Sequence, residues 1–562
     1  MMSGTFFSTL DNIKEACKEG IGGLFGSSVS LAISERYARG SNGSLVLCKD
    51  NQEASEVLSQ LRFFSDLGDK ELLYIPETEV LPYDTESPNN SSSSLRIEAF
   101  NKIADSSEQK YLIVTTAAAA AQFIMDFDYW NASQLNLKVG NFFPIPDIEL
   151  HLKATGYKRA ELETSIQGDY LIINRIIDIY PVASKCAYRI VLDDDDCIQS
   201  IRSIDVTTQL TKDTFDAITV LQAREIPCNK DYGMTFRKNF RKEFHVSTAD
   251  ATYSAISSGE VPDGIEFYTY LFEQSTTLLT ELSEKGYTVF LANNFAGHYT
   301  KLLEAAHQRF DELSNDVSRK VLHPTKVWLD SNSLISTLKQ SYSIYLTPDK
   351  DNCSEVYDTE DTGFSKKHSL IDIIEMVTPY VKKSEKTIFV LHSEARADQI
   401  QVIAKILHMK STFANKWSNA EDAKEKAVIV YSNMNKGYYD HQNKLLVVTE
   451  REIFGMPIQA SIESNEANAK SSIHDFIKSL EIGDLLVHTH YGVGRYAGLK
   501  LLGSNVSGNE YLTIEYQEDA SAFVQMTDLH LVNKYNGLNP ESVTIGKFDA
   551  KTNSWKKEIN SR

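Results

Sequence analysis

The feature that most limits the folds open to this chain is a change of period along its length. Short apolar runs at 44–48, 71–75 and 111–115 alternate with helix-like patterns at 53–64 and 95–104, the last run leading into five alanines at 117–121. Apolar strands separated by helices predict a mostly parallel sheet covered on both faces. The same alternation returns at 343–346, 387–391, 427–431 and 445–449, with a helix-like 395–407 among them. Elsewhere strands follow strands. Runs at 188–192 and 197–205 flank Asp193, Asp194, Asp195 and Asp196, a pattern that predicts a hairpin and its tip. Within 482–535, Gly483-Asp484 and Gly503-Ser504-Asn505 mark turns, and Leu512, Ile514 and Tyr516 alternate with Thr513 and Glu515. Several short strands in about fifty residues predict a small β-barrel, better suited to binding a partner than to catalysis.

A chain of 562 residues exceeds one ordinary core and predicts three to five domains. Its formal net charge of −20 excludes a protein that coats nucleic acid by charge alone, because phosphate affinity comes from counterions released at Lys and Arg. Six cysteines (Cys17, Cys48, Cys186, Cys197, Cys228 and Cys353) contain no C-x-x-C pair, so reduced thiols are expected and zinc ribbons are not. The first twenty residues show no basic leader before an apolar core, and no apolar run reaches bilayer-spanning length. A cytoplasmic chain without a membrane partner is the expectation.

The run Gly23-Leu24-Phe25-Gly26-Ser27-Ser28-Val29-Ser30 has the outline of a phosphate-binding loop. A working loop needs G-x-x-x-x-G-K-[ST], its lysine on the β/γ-phosphates and its hydroxyl on magnesium. Here Ser28 holds the place of the second glycine, and Val29 holds that of the lysine. Valine supplies no positive charge, so a glycine-rich turn without nucleotide is expected, and no G-K-[ST] occurs elsewhere. No catalytic residue is predicted. His488 and His490 stand two apart on a strand, but too few further ligands converge to hold a metal. The four aspartates lack the glycine and distal glutamate of a calcium loop. Arg237, Lys238, Arg241 and Lys242 form a helical stripe, read as a solvated face rather than a DNA contact.

Several segments resemble the bacterial transcription-repair coupling factor family, Mfd. His488, then Tyr491-Gly492-Val493-Gly494-Arg495-Tyr496, followed by Leu529-His530-Leu531-Val532, resemble its RNA-polymerase-interacting, CarD-like module, although Ala522-Phe523-Val524-Gln525-Met526 departs from the usual L-Y-V-P-V. Glu79-Val80-Leu81-Pro82-Tyr83-Asp84, before serines that can cap a helix near Leu95, resembles a pattern shared with UvrB. Gly168, Asp169, Tyr170, Asp178, Ile179, Tyr180 and Pro181 resemble the UvrA-binding domain, with Ile173, Asn174 and Arg175 in place of its R-G-G. The segment 447–455, VVTEREIFG, resembles the family's third domain.

The resemblance implies a multidomain α/β chain. Residues 1–134 and 226–315 would form a UvrB-like degenerate ATPase half-domain interrupted by a UvrA-binding domain at 135–225. A further α/β domain would span 330–460, a Tudor/SH3-like barrel 475–540, and 541–562 would begin a linker to an absent translocase motor. It implies UvrA contacts at Lys158, Arg159, Ile173 and Arg175, with Arg175 standing in on the face of Ile173. It also implies contacts to the RNA polymerase β subunit at Arg495, Leu499, Lys500, Leu501 and Leu502, by strand addition to a sheet edge. This chain would be a non-catalytic adaptor needing no cofactor. ATP, magnesium and most DNA contacts would belong to the motor of a longer protein, and the chain is expected to be a piece of one. The alternative is a Tudor/SH3-like nucleic-acid reader without a polymerase partner, for which the barrel has aromatics but few cations beyond Arg495 and Lys500.

Overall fold

The computed structural model describes residues 14–454 and 482–534, apart from 66, 69–70, 79, 81, 85–86, 89, 106–108, 165, 207, 228–229, 246–250, 259–261, 273, 293–294, 317–319, 366–369, 393, 489–491, 503–508, 518–519 and 526–531. The chain divides into two compact units, 1–460 and 461–562.

The first sheet of the larger unit has seven strands in the order Glu355–Val356, Glu19–Gly22, Tyr342–Leu346, Thr288–Leu291, Ser44–Cys48, Leu112–Thr116, Leu72–Ile75. Every adjacent pair is parallel. Parallel strands covered on both faces are apolar at nearly every position, which explains the unbroken run from Leu45 to Cys48. Leu45, Leu47, Ile113 and Leu291 pack on one side with Phe100 and Trp130. Val46, Cys48, Leu112 and Phe290 pack on the other with Ala32, Ile33 and Leu61. The helix Asn51–Phe64 starts where Asp50 accepts the Glu53 amide, and the Glu53 carboxylate returns to the Lys49 amide.

Two sequence expectations are corrected here. The helix expected near Leu95 begins at Asn90, so Ser91, Ser92, Ser93 and Ser94 occupy its first turns instead of preceding it. Serine competes for backbone hydrogen bonds in a helix interior but is tolerated where the first amides have no partner. The strand Tyr342–Leu346, expected among those at 387–449, lies instead between Glu19–Gly22 and Thr288–Leu291. Apolar periodicity identifies a strand but carries no information on its ladder partners, which here lie far off in sequence.

The segment inserted after Leu135 is closed at its base by the antiparallel pair Leu135–Lys138 and Ala217–Val220. Beyond that pair, a six-stranded sheet runs Thr211–Phe215, Ile198–Ile204, Ala187–Leu192, Ile176–Ile179, Asp169–Ile173, Lys158–Arg159. Tyr170, Ile177, Ile179, Ile190 and Ile201 cover one face, packed on Ile148 and Leu152 of the helix Ile145–Ala154.

A second α/β sheet runs Thr359–Glu360, Tyr438–Asp440, Leu445–Thr449, Lys386–Leu391, Ala427–Tyr431, Ser411–Ala414. One face forms its own core around Phe389, Ile429 and Val448. Ile388, Val428 and Val447 on the other face join Trp417 and the first domain's Leu31, Phe63 and Phe64. The Trp417 ring meets Phe64 edge-on, with centroids 4.8 Å apart.

The smaller unit is a five-stranded antiparallel sheet, ordered Ser521–Gln525, Asn509–Glu515, Gly492–Leu502, Leu485–His488, Val532–Lys534. Leu486, Leu512 and Ile514 are fully buried. A Cβ on Gly494 would lie 2.4 Å from Ile514 Cγ2, so a side chain there would break the packing.

Candidate functional site

The glycine-rich run is a strand-to-helix turn: Glu19–Gly22 ends before it, and the helix Ser28–Arg39 follows. Gly23 and Gly26 have φ of 72° and 55°, conformations that favour glycine. The Ser28 hydroxyl accepts the Phe25 amide at 2.8 Å and donates to the Phe25 carbonyl at 2.7 Å. The Ser30 hydroxyl, in the magnesium-ligand place, donates to Gln60 Oε1 at 2.7 Å. With Val29 at the lysine place, the turn joins strand to helix as a phosphate loop does but lacks its charge. Among the described residues, no group of three or more His, Cys, Asp or Glu is placed to hold a metal. The side chain of His488, and His490 altogether, lie outside the described residues.

The inserted sheet separates the four residues grouped in the sequence. Lys158 pairs with Asp169, and Asp169, Leu171 and Ile173 alternate onto the face away from the helix Ile145–Ala154. Ile173 is 56% exposed there. Arg159 belongs to the opposite face, where Glu149 of the helix accepts it at 3.3 Å. Glu149 is held below the usual carboxylate range, chiefly by its hydrogen bond from Lys153 and also by Arg159 and Tyr170, so it stays charged. Arg175 does not stand in for an arginine at Ile173. Asn174 turns the chain with φ of 54°, and the Arg175 guanidinium folds back onto the aspartate tip. It meets Asp196 Oδ1 at 2.7 Å and the Asp194 carbonyl at 3.0 Å. Four adjacent carboxylates attract the nearest cation, and the tight turn puts Arg175 within their reach.

Two cross-strand rows run over that outward face. Ile173 is opposite Ile176, and Ile176 is opposite Val191. Leu171 is opposite Asp178, Asp178 opposite Arg189, and Arg189 opposite Arg202. Arg189 grips Asp178 with two hydrogen bonds of 2.8 and 2.7 Å, which neutralises it and leaves the exposed Arg202 as the outward cation. The sequence reading named neither Ile176 nor Arg202. Counting back along both strands from the aspartate tip would have missed the pairing of Arg189 with Arg202, because a bulge between Val191 and Leu192 shifts the register by one residue.

In the smaller unit, Gly498 (φ 97°) lies in a bulge that shifts the register of Gly492–Leu502 between Tyr496 and Leu499. Leu499 is 44% exposed, Lys500 is exposed, and Arg495 donates to the Gly483 carbonyl at 3.1 Å. The backbones of Leu501 and Leu502 pair with Glu510 and Asn509; their side chains lie outside the described residues. The strand is interior to the sheet order, which at first sight denies it a free edge. Its ladder with Leu485–His488, however, covers only Gly492–Arg495, and Tyr496 then exchanges hydrogen bonds with Gly483 and Asp484. Beyond Tyr496 the described ladder continues on one side alone.

Three family models match: "UvrB interaction domain" over 135–225, "MFD, D3 domain" over 381–453, and "CarD-like/TRCF RID domain" over 480–536. Each falls on one of the sheets described above. The chain is also 27% identical over 540 residues to the transcription-repair-coupling factor of Haemophilus influenzae, covering 94% of this chain and 46% of that protein. The Escherichia coli protein of the same name is 24% identical with the same coverage. The Bacillus subtilis one is 22% identical over 99% of this chain and 48% of its own length. The chain is thus similar to transcription-repair-coupling factors over nearly its whole length. It spans somewhat less than half the length of these relatives. The inserted sheet is the part matched by the UvrB interaction model, and the terminal antiparallel sheet is the part matched by the CarD-like model. No helix among the described residues is long and apolar enough to cross a membrane.

Proposed function

We propose that this chain is an adaptor that joins a stalled RNA polymerase to UvrA, coupling transcription arrest to nucleotide excision repair in the cytoplasm. The observation that carries the reading is the presence on one chain of an inserted UvrB-type interaction domain and a CarD-like domain. UvrA binds the outward face of the insert, with Ile173 and Ile176 as apolar anchors and Lys158 and Arg202 as flanking cations. The β subunit of the polymerase adds a strand beside Leu499–Leu502, gaining main-chain hydrogen bonds along a stretch already laddered on its other side. Neither contact requires nucleotide, in keeping with Val29 in the relic turn. Any ATP-driven translocation on DNA belongs to a motor outside this sequence. The test is co-purification of the full 562-residue chain with UvrA and with polymerase, in the absence of ATP. Binding of neither partner, or steady phosphate release by the pure chain, would refute the proposal.

A further inference from the structure

The segment around Lys436 and Gly437, in the domain matched as D3, lies directly on the relic nucleotide turn. The Ser27 amide, at the N-terminal end of the helix Ser28–Arg39, donates to the Lys436 carbonyl at 3.1 Å. A Cβ on Gly26 would lie 2.2 Å from the Gly437 carbonyl oxygen and 3.0 Å from that of Lys436. These oxygens therefore fill the space over the turn, where an anion would approach the helix amides. We propose that residues 434–438 are a built-in ligand of the vestigial nucleotide site, their carbonyls standing where a phosphate would stand, and that holding them there is the work of the TEREIF motif.

The chemistry suits the residues present. A helix N-terminus offers unsatisfied N–H groups and the positive end of a dipole, which attract any negative group. In a G-x-x-x-x-G-K-[ST] loop the charge of the β/γ-phosphates is met by the lysine; a peptide carbonyl brings only a dipole and leaves no charge to neutralise. A turn with Val29 at the lysine place is matched to the second ligand and not to the first.

The ligand is held from behind by the motif. Thr449 and Glu452 cap each other at the start of the helix Glu450–Phe454: Glu452 Oε2 accepts the Thr449 amide and hydroxyl at 2.9 Å each, and the Glu452 amide donates back to Thr449 Oγ1 at 3.3 Å. The other carboxylate oxygen, Oε1, accepts the Gly437 amide at 2.9 Å. Gly437 is itself pressed against the sheet, since a Cβ there would lie 2.0 Å from the Val447 carbonyl oxygen. A hydrogen-bonded chain thus runs from Thr449 through Glu452 and the Gly437–Lys436 backbone to Ser27. A second strap closes the side of the turn: the Thr359 hydroxyl donates to the Gly23 carbonyl at 2.6 Å and accepts the Phe25 amide at 3.2 Å.

Hydrogen–deuterium exchange on the full chain tests this. In the wild type the segments 25–31 and 434–440 exchange slowly, and saturating magnesium-ATP or pyrophosphate leaves the rate at 25–31 unchanged. Gly26→Ala, which pushes a methyl into the Gly437 carbonyl, and Glu452→Ala, which removes the anchor behind it, each speed both segments by about tenfold. Exchange in the sheet core at 112–116 stays as in the wild type. Acceleration confined to the mutated segment, no acceleration, or slowing of 25–31 by nucleotide would overturn the proposal. If Gly26→Ala also exposes 112–116, Glu452→Ala decides by the same criterion. Core exposure in both variants overturns it too, because a docking joint can open without unfolding the sheets it joins.

Discussion

Replacing Ile173 by serine separates the proposed UvrA surface from a surface that merely tolerates an exposed isoleucine. Complete burial of an isoleucine side chain contributes about 1.5–3 kcal/mol. With Ile173 56% exposed in the free chain, a partner that covers it gains about half of that. Losing about 0.75–1.5 kcal/mol weakens binding about three- to twelvefold. Because the side chain lies on the solvent face, stability should change by no more than about 0.5 kcal/mol. Isothermal titration of UvrA into wild-type and Ile173→Ser chains, with thermal melts of both, reads the two quantities. Arg175→Ala is the matched control: its guanidinium is committed to the aspartate tip, so removing it costs about 0.5–1 kcal/mol of stability and leaves UvrA affinity unchanged. Unchanged affinity in Ile173→Ser, or a larger affinity loss in Arg175→Ala, would refute the assignment of faces.

Leu499→Arg should abolish co-purification with the polymerase β subunit while the melting curve stays within about 0.5 kcal/mol of wild type, since Leu499 is 44% exposed. Arg96 is 1% exposed and grips Glu225, next to the insert's exit strand, at 2.7 and 2.9 Å, so Arg96→Ala should cost about 3–5 kcal/mol in denaturant melts by leaving Glu225 unpaired. Trp417→Ala should cost about 3–5 kcal/mol by opening a cavity against Phe63 and Phe64, read as a lower denaturation midpoint. Val29→Lys should not confer ATP binding in a fluorescent-nucleotide titration, because restoring the charge does not clear the carbonyls from the turn.

Local patterns in this sequence carried most of the elements and one negative conclusion about chemistry. The run at 44–48 reads as a doubly covered strand because four successive residues, Leu45 to Cys48, are apolar, and Val29 excludes a working phosphate loop by charge alone. The hairpin around the four aspartates is legible because its alternation changes at the carboxylates. What escaped the sequence is non-local. Tyr342–Leu346 looks like any buried strand, and only its hydrogen-bond partners assign it to the first sheet. Arg175 sits two residues from Ile173, a spacing that shares a face only while the strand continues, and Asn174 ends it. Arg159 is adjacent to Lys158 and therefore faces the other way, toward Glu149. The role of Gly437 could not be read at all, because what it avoids is the carbonyl of Val447 on a neighbouring strand.

The most direct measurement is sedimentation of UvrA with immobilised RNA polymerase, with and without this chain, in buffer free of nucleotide. UvrA should be retained only when the chain is present, and Ile173→Ser should reduce that retention while polymerase binding by the chain stays intact. Retention that depends on added ATP, or a chain that holds polymerase but never brings UvrA with it, would contradict the account.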